Sequence, residues 1–239
     1  MIASILAVAA ISVSQGEPIK PSSVDMSKMR TIQFAVLVDG PTHEQRSPEA
    51  TQKLQKEHLD GLEKLWSEGK ALAVGPVGKA KPWRGLCILD VKTPEEAKSL
   101  LAGDPWVKNG EMAIECYSWY CDASVFKKGR KFLDIAPHFL GVLVRVKDAP
   151  KITDAEANQI QAGHLANIQR MWQMGICKSA GPLLNGGDMR GLLFFMDATE
   201  DQIKAEVAKD PAVVGKRLEL KLFPWFTAKG TFEPGKPKP

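Results

Sequence analysis

The sequence is poor in the groups that most metal, redox and nucleotide chemistry requires. Histidine and cysteine occur only four times each in 239 residues. No pair has the CxxC or HxxxH spacing of a zinc site, so no metal is implied. The one Gly-rich stretch, Asn185-Gly186-Gly187, lacks the Lys and hydroxyl of a phosphate-binding loop. No nucleophile elbow or dinucleotide fingerprint occurs either, so no cofactor is implied. Lys+Arg 32 against Asp+Glu 28 leaves +4 without a concentrated patch, which argues against nucleic acid as a partner. A membrane-spanning helix needs about 20 apolar residues. The longest such run, Ile2 to Val13, is shorter, so no stable span is expected once this segment is removed.

What is present is ordinary globular composition, 44% hydrophobic and 25% charged, which excludes disordered, collagen-like and disulfide-scaffold classes. Ile2 to Val13 is apolar but for two serines and fits the core of a secretory signal, with Ser12-Val13-Ser14 at its end and polar residues after it. No Lys or Arg follows Met1 to form a charged leader. Residues 1–14 are therefore expected to be a signal and 15–30 a spacer, which makes the protein secreted or periplasmic. The alternatives are a lipid-facing anchor, or translation from Met26 or Met29, which would leave the protein cytoplasmic. The cysteines, Cys87, Cys116, Cys121 and Cys177, allow three pairings, and their spacing favours none. Cys116 and Cys121 lie five apart in an extended stretch, which sends their side chains to opposite faces. Buried free thiols are expected.

A shift of 106 residues superposes the chain on itself. Val36-Leu37-Val38 falls on Val142-Leu143-Val144, His58-Leu59 on His164-Leu165, Trp66 on Trp172, and Gly69 on Gly175. Gly75-Pro76 falls on Gly181-Pro182, Arg84-Gly85-Leu86 on Arg190-Gly191-Leu192, Asp104-Pro105 on Asp210-Pro211, and Trp119 on Trp225. The chain thus reads as two homologous units, 31–120 and 137–227. A linker, 121–136, carries Lys127, Lys128, Arg130 and Lys131 and is expected to be solvated. The tail, 228–239, is Pro/Lys-rich from Phe232 and expected to be disordered.

Each unit reads as strand, helix, strand, strand, helix, strand. In the first, Ile32 to Val38 is β-prone. Pro48 opens a helix bearing Leu54, His58, Leu62 and Leu65, which stops at Gly69. Ala71 to Val77 and Leu86 to Val91 are strands. Thr93, Pro94 and Glu96 form a capping box for the second helix, and Glu111 to Tyr120 is the last strand. The second unit repeats this over His138–Val146, Thr153–Met174, Ile176–Leu183, Gly191–Met196, Thr199–Lys209 and Arg217–Phe226. The expected fold class is α+β: two tandem ferredoxin-like βαββαβ units, each with its helices on one face of an antiparallel sheet. The other faces are apolar and would cover each other, giving an intramolecular pseudo-dimer of the dimeric α+β barrel type.

The ordered set His-Leu, helix-end Gly, Gly-Pro, Arg-Gly-Leu, Asp-Pro and a terminal aromatic strand resembles the YCII-related (YciI-like) domain, and both units carry it. The resemblance implies a ferredoxin-like fold that commonly dimerises as an α+β barrel. It also implies a His–Asp reactive pair, at His58 with Asp104 and at His164 with Asp210. The family includes a dehydrochlorinase acting on a chlorinated hydroxyhydroquinone. Duplication and an export signal set this chain apart from familiar members.

The residues themselves carry two readings each. His58 and His164 sit on the apolar stripe of their helices, as proton-handling groups titrating near neutrality or as core-edge imidazoles. Asp104 and Asp210 each precede Pro, as helix N-caps or as carboxylates that orient an imidazole. Arg84 and Arg190 either clamp an anionic substrate or are exposed hairpin charges. Gly75-Pro76 and Gly181-Pro182 read as turn formers, and Trp66 and Trp172 as packing residues. Two functions remain open. One is a small-molecule enzyme of lyase, isomerase or dehydrohalogenase type acting on a small polar aromatic or keto acid. The other is a non-catalytic small-ligand-binding or accessory protein on the same fold. A monomeric pseudo-dimer is expected, with higher oligomers left open.

Overall fold

Helix boundaries follow the capping chemistry. The computed structural model describes residues 26–78, 81–129 and 131–232. The expected signal, most of the spacer and the tail beyond Phe232 lie outside the described residues. The first unit runs β1 (Met29–Asp39), α1 (Pro48–Ser67), β2 (Ala71–Pro76), β3 (Trp83–Leu89), α2 (Pro94–Leu101), α3 (Pro105–Lys108) and β4 (Met112–Asp122). The second runs β5 (Ile135–Arg145), α4 (Asp154–Gln173), β6 (Cys177–Pro182), β7 (Met189–Phe195), α5 (Glu200–Val207), α6 (Pro211–Val214) and β8 (Leu218–Ala228).

Ser47 accepts the Ala50 N–H at 3.2 Å to start α1, and Thr153 with Glu156 forms a full capping box on α4. At α2 the box differs from expectation. Thr93 accepts the Glu96 N–H, but the Glu96 carboxylate accepts from the N–H of Lys92 rather than Thr93. Both long helices end in a glycine at positive φ, Gly69 at 73° and Gly175 at 76°. Their N–H groups donate back to Trp66 and Trp172, and Lys70 and Ile176 donate to Leu65 and Met171, which closes a Schellman turn. Among the described residues no helix is long and apolar enough to cross a membrane.

The two units share one topology, antiparallel sheets of order β2-β3-β1-β4 and β6-β7-β5-β8. This is the ferredoxin-like arrangement. Alternation along β1 sends Phe34 and Val36 to one face and Ala35 to the other. Ala35 joins Leu62, Trp66, Ala97 and Leu101 beneath the helices. Phe34 and Val36 meet Leu140, Val142 and Phe194 of the other sheet.

The sheets do more than stack. The β4 edge meets β6 through the Trp119–Leu183 bridge, and the β2 side meets β8 through Val77–Trp225. Leu184 donates to the Ser118 carbonyl at 2.8 Å and Gly78 to the Pro224 carbonyl at 2.7 Å. Eight strands therefore close into one intramolecular α+β barrel, which leaves no long unpaired edge between the units among the described residues. Trp119, Trp225, Phe34 and Phe194 are fully buried inside it.

Four expectations are corrected here. Gly75 and Gly181 are strand residues at these seams, not turn formers. A Cβ on Gly75 would lie 1.7 Å from the Phe226 carbonyl oxygen, and one on Gly181 1.9 Å from that of Tyr120. Only glycine admits the crossing backbone. The segment between the units is not wholly solvated: Phe126 and Phe132 are buried, and Phe132 packs on Trp66 with ring centroids 5.8 Å apart. Phe232, placed in the tail, is buried too and bridges to Phe126, so the two phenylalanines plug one barrel end. Trp66 is thus covered, whereas Trp172 remains 49% exposed and is only partly a packing residue.

Candidate functional site

The two short helices α3 and α6 exist because of Asp-Pro. Proline at the first helical position has no N–H to satisfy, and the preceding aspartate accepts from the second. Asp104 Oδ1 accepts the Trp106 N–H at 2.9 Å, and Asp210 Oδ1 the Ala212 N–H at 2.8 Å. The other oxygen of each carboxylate faces a long helix. Asp104 Oδ2 is hydrogen-bonded to His58 Nδ1, and Asp210 Oδ2 to His164 Nδ1, the latter at 2.6 Å. Capping and imidazole contact are therefore made by one side chain at once, in both units.

Each dyad lies where the long helix passes the short one, on the helix-covered side of its sheet. The side chains are mostly buried, His58 and His164 keeping 11% and 13% of their surface exposed. An ionised carboxylate can only accept, so Nδ1 carries the proton and the lone pair of the neutral ring falls on Nε2. The arrangement can take a proton at Nε2 and stabilise the resulting imidazolium through the aspartate. Backbone closeness differs between the units: a Cβ on Gly163, beside His164, would lie 2.6 Å from Pro211 Cγ. The corresponding first-unit residue is Glu57.

The arginines lie apart from the dyads' bonding. The β1–β3 register jumps from Leu37–Gly85 to Val38–Trp83, so Arg84 is the extra residue of a β-bulge, and Arg190 occupies the same place in β7. Arg84 pairs with Asp39 at 3.1 Å and is half-exposed, while Arg190 donates weakly to the Gly187 carbonyl. Neither makes a hydrogen bond or ion pair to a dyad residue among the described residues.

Other polar groups near the sites carried no repeat signal. Arg46 bonds to Glu44 and Glu111 and lies over the Trp106 ring, 5.8 Å from its centroid; its second-unit counterpart is Ile152. In the second unit Arg170 joins Asn167 to Glu206, tying α4 to α5. The four cysteines are buried and unpaired, and burial pushes the thiols up, to about 12 at Cys87 and Cys177 and about 11 at Cys116. They are unsuited to nucleophilic work. Among the described residues no cluster of His, Cys, Asp or Glu could hold a metal ion. One small cavity is lined by Trp66, Leu72, Phe126 and Lys128, and a shallow groove by Lys131, Leu133 and Asp134; neither reaches a dyad.

No curated protein matches the sequence. Solved structures do match it in fold. A mutant chlorite dismutase from Candidatus Nitrospira defluvii superposes with a TM-score of 0.55 at 10% identity, over 83% of this chain and 91% of its own. A putative chlorite dismutase gives 0.55 at 10% identity over 84% and 96%. A heme-binding protein from Thermus thermophilus gives 0.52 at 14% identity over 83% and 93%. At such identities the likeness is one of fold, the dimeric α+β barrel built from two ferredoxin-like units. Residues 33–119, within the first unit, match the model of the YCII-related domain.

Proposed function

We propose that the chain is a tandem duplication of the YCII-related domain whose His–Asp dyads transfer protons in a lyase, isomerase or dehydrohalogenase reaction. The substrate class is a small polar aromatic or keto acid. One observation carries this reading: both aspartates divide their oxygens between a helix cap and His Nδ1, which holds Nε2 as the base in each unit. Nε2 removes a proton from the substrate; in an elimination the bond to the leaving group then breaks, the group departs with its electron pair, and the imidazolium, favoured by the carboxylate, passes its proton to solvent, whereas in an isomerisation it returns the proton to a neighbouring carbon. The apolar segment at 2–13 supports export, which N-terminal sequencing of the native protein checks; an intact Met1 in the cytoplasmic fraction rules it out.

Heme is named for one structural neighbour. In this chain the layer between α4 and its sheet is filled by Leu143, Met171, Leu193, Phe195, Ile203 and Val207. These residues do not fit a porphyrin there.

The experiment is a thermal-stabilisation screen of small acids and phenols, followed by turnover assays. With equivalent sites, His58→Gln or His164→Gln halves turnover, and the double variant loses about a hundredfold or more. Full turnover in the double variant sinks the proposal. The second reading is a ligand-binding or accessory protein on the same fold. On that reading ligands stabilise the protein but none is converted.

A further inference from the structure

Two buried side-chain nitrogens at one end of the barrel have no hydrogen-bond partner among the described residues, His138 Nδ1 and Lys178 Nζ. His138 is 7% exposed and Lys178 8%. His138 lies on β5 in alternation with Leu140 and Val142, which places it on the barrel's inner face, against the rings of Trp225 and Phe232. Lys178 is the residue bulged out of β6, between the pairs Cys177–Phe195 and Ser179–Phe194. Its one carboxylate neighbour among the described residues is Asp197, at 3.7 Å, too long for a direct hydrogen bond. Asp197 stands in the turn after β7 with φ 55° and a side chain 69% exposed. Phe195 of β7 pairs with Phe139 on β5 and with Cys177 on β6, so His138 and Lys178, each one residue from those partners, lie near one line across the sheet.

The first unit shows that the fold does not need this polarity. A shift of 106 places Ile32 opposite His138, Leu72 opposite Lys178 and Val91 opposite Asp197. Hydrocarbon builds the corner there, and Ile32 is fully buried. An ammonium and an imidazole nitrogen without hydrogen-bond partners are costly in such a place. That cost is offset when an anion supplies the acceptors.

We propose that His138 and Lys178 form a binding site for a small carboxylate at the end of the barrel, in the second unit only. A carboxylate has one charge and two acceptor oxygens, one for the ammonium and one for Nδ1–H. Asp197 is the rim. It lies at the surface beside Nζ, so the ammonium is one side chain below solvent, and its own charge occupies the site weakly until a ligand displaces it. The site lies inside the barrel, whereas both dyads lie under the outer helices. It therefore stands or falls separately from the proton-transfer reading.

The test is thermal denaturation of the full chain at pH 7.5 with sodium formate or acetate, against sodium chloride at equal ionic strength. Formate and acetate raise the melting temperature saturably and chloride does not. Lys178→Leu and His138→Ile, which install the first unit's residues, abolish the rise; Lys178→Met does the same with the stem's length kept. Asp197→Asn lowers the half-saturating concentration several-fold because the competing carboxylate is gone. No saturable rise in the unaltered protein, or an undiminished one in Lys178→Leu and Lys178→Met, overturns the proposal. A rise with inorganic phosphate and none with formate or acetate overturns the assignment to carboxylates.

Discussion

Trp119 of the first unit donates its indole N–H to the carbonyl of Gly181 in the second at 3.1 Å, deep in the barrel wall. The matching tryptophan, Trp225, is equally buried, yet its indole N–H has no partner among the described residues. Residues that match in sequence are therefore not equivalent in bonding. Trp119→Phe loses a hydrogen bond across the seam, while Trp225→Phe removes an unsatisfied donor. The expected difference is about 1 kcal/mol, with Trp119→Phe the less stable. Denaturant unfolding of the two variants measures it, and equal losses count against the asymmetry.

The seams make a sharper demand at the glycines. Alanine at Gly75 or Gly181 would press a methyl group into a backbone carbonyl of the other unit, which no rotamer change relieves. Either substitution is expected to cost roughly 3 kcal/mol or more, beyond ordinary overpacking. Alanine at Gly61 is the control, since nothing lies within 4 Å of a Cβ there. If Gly75→Ala melts with the unaltered protein, the two units do not meet as described.

These contacts also mark the limit of what was legible in the sequence. Periodicity and caps are local, so the helices from Pro48 and Thr153 and the unit order could be read directly. The constant shift of 106 placed both dyad partners in register. The seam is non-local: Gly75 meets Phe226 across about 150 residues, and Gly-Pro alone resembles a turn. Phe126 and Phe232 obey the same shift, a signal that their segments pack alike, but their Lys-rich and Pro-rich surroundings concealed it. Arg46 and Lys178 had no repeat partner to draw attention to them, and Arg84 was displaced by a bulge that hydrophobic patterning does not encode.

Aspartate's double role can be separated by substitution. Asparagine caps a helix as well as aspartate does, so Asp104→Asn and Asp210→Asn keep α3 and α6. The amide, however, donates to Nδ1 and shifts the ring proton to Nε2, which removes the base. Alanine loses both functions. The alanine variants should therefore be about 1 kcal/mol or more less stable than the asparagine variants. Turnover or ligand response should fall in both alike. Asparagine variants that retain full turnover would show that the carboxylate serves the cap alone.

Burial holds the His138 imidazole below its ordinary value of 6.5, Lys178 pushes it the same way, and Asp197 opposes them. The unfolded chain has no such environment and titrates near 6.5. Above that pH the ring is neutral in both states and contributes no pH dependence. As the pH falls from 6.5 toward the lower folded value, the unfolded chain binds a proton that the folded one resists, and stability falls. Below the folded value the loss levels off. His138→Ile removes this titration while keeping the residue type that the first unit uses. Melting temperatures at pH 7.5 and 5.5, in buffers free of carboxylate, should therefore drop more in the unaltered protein than in His138→Ile. The dyads and His43 are common to both proteins and cancel in the comparison. An equal drop in the two proteins would mean that the buried ring does not resist protonation.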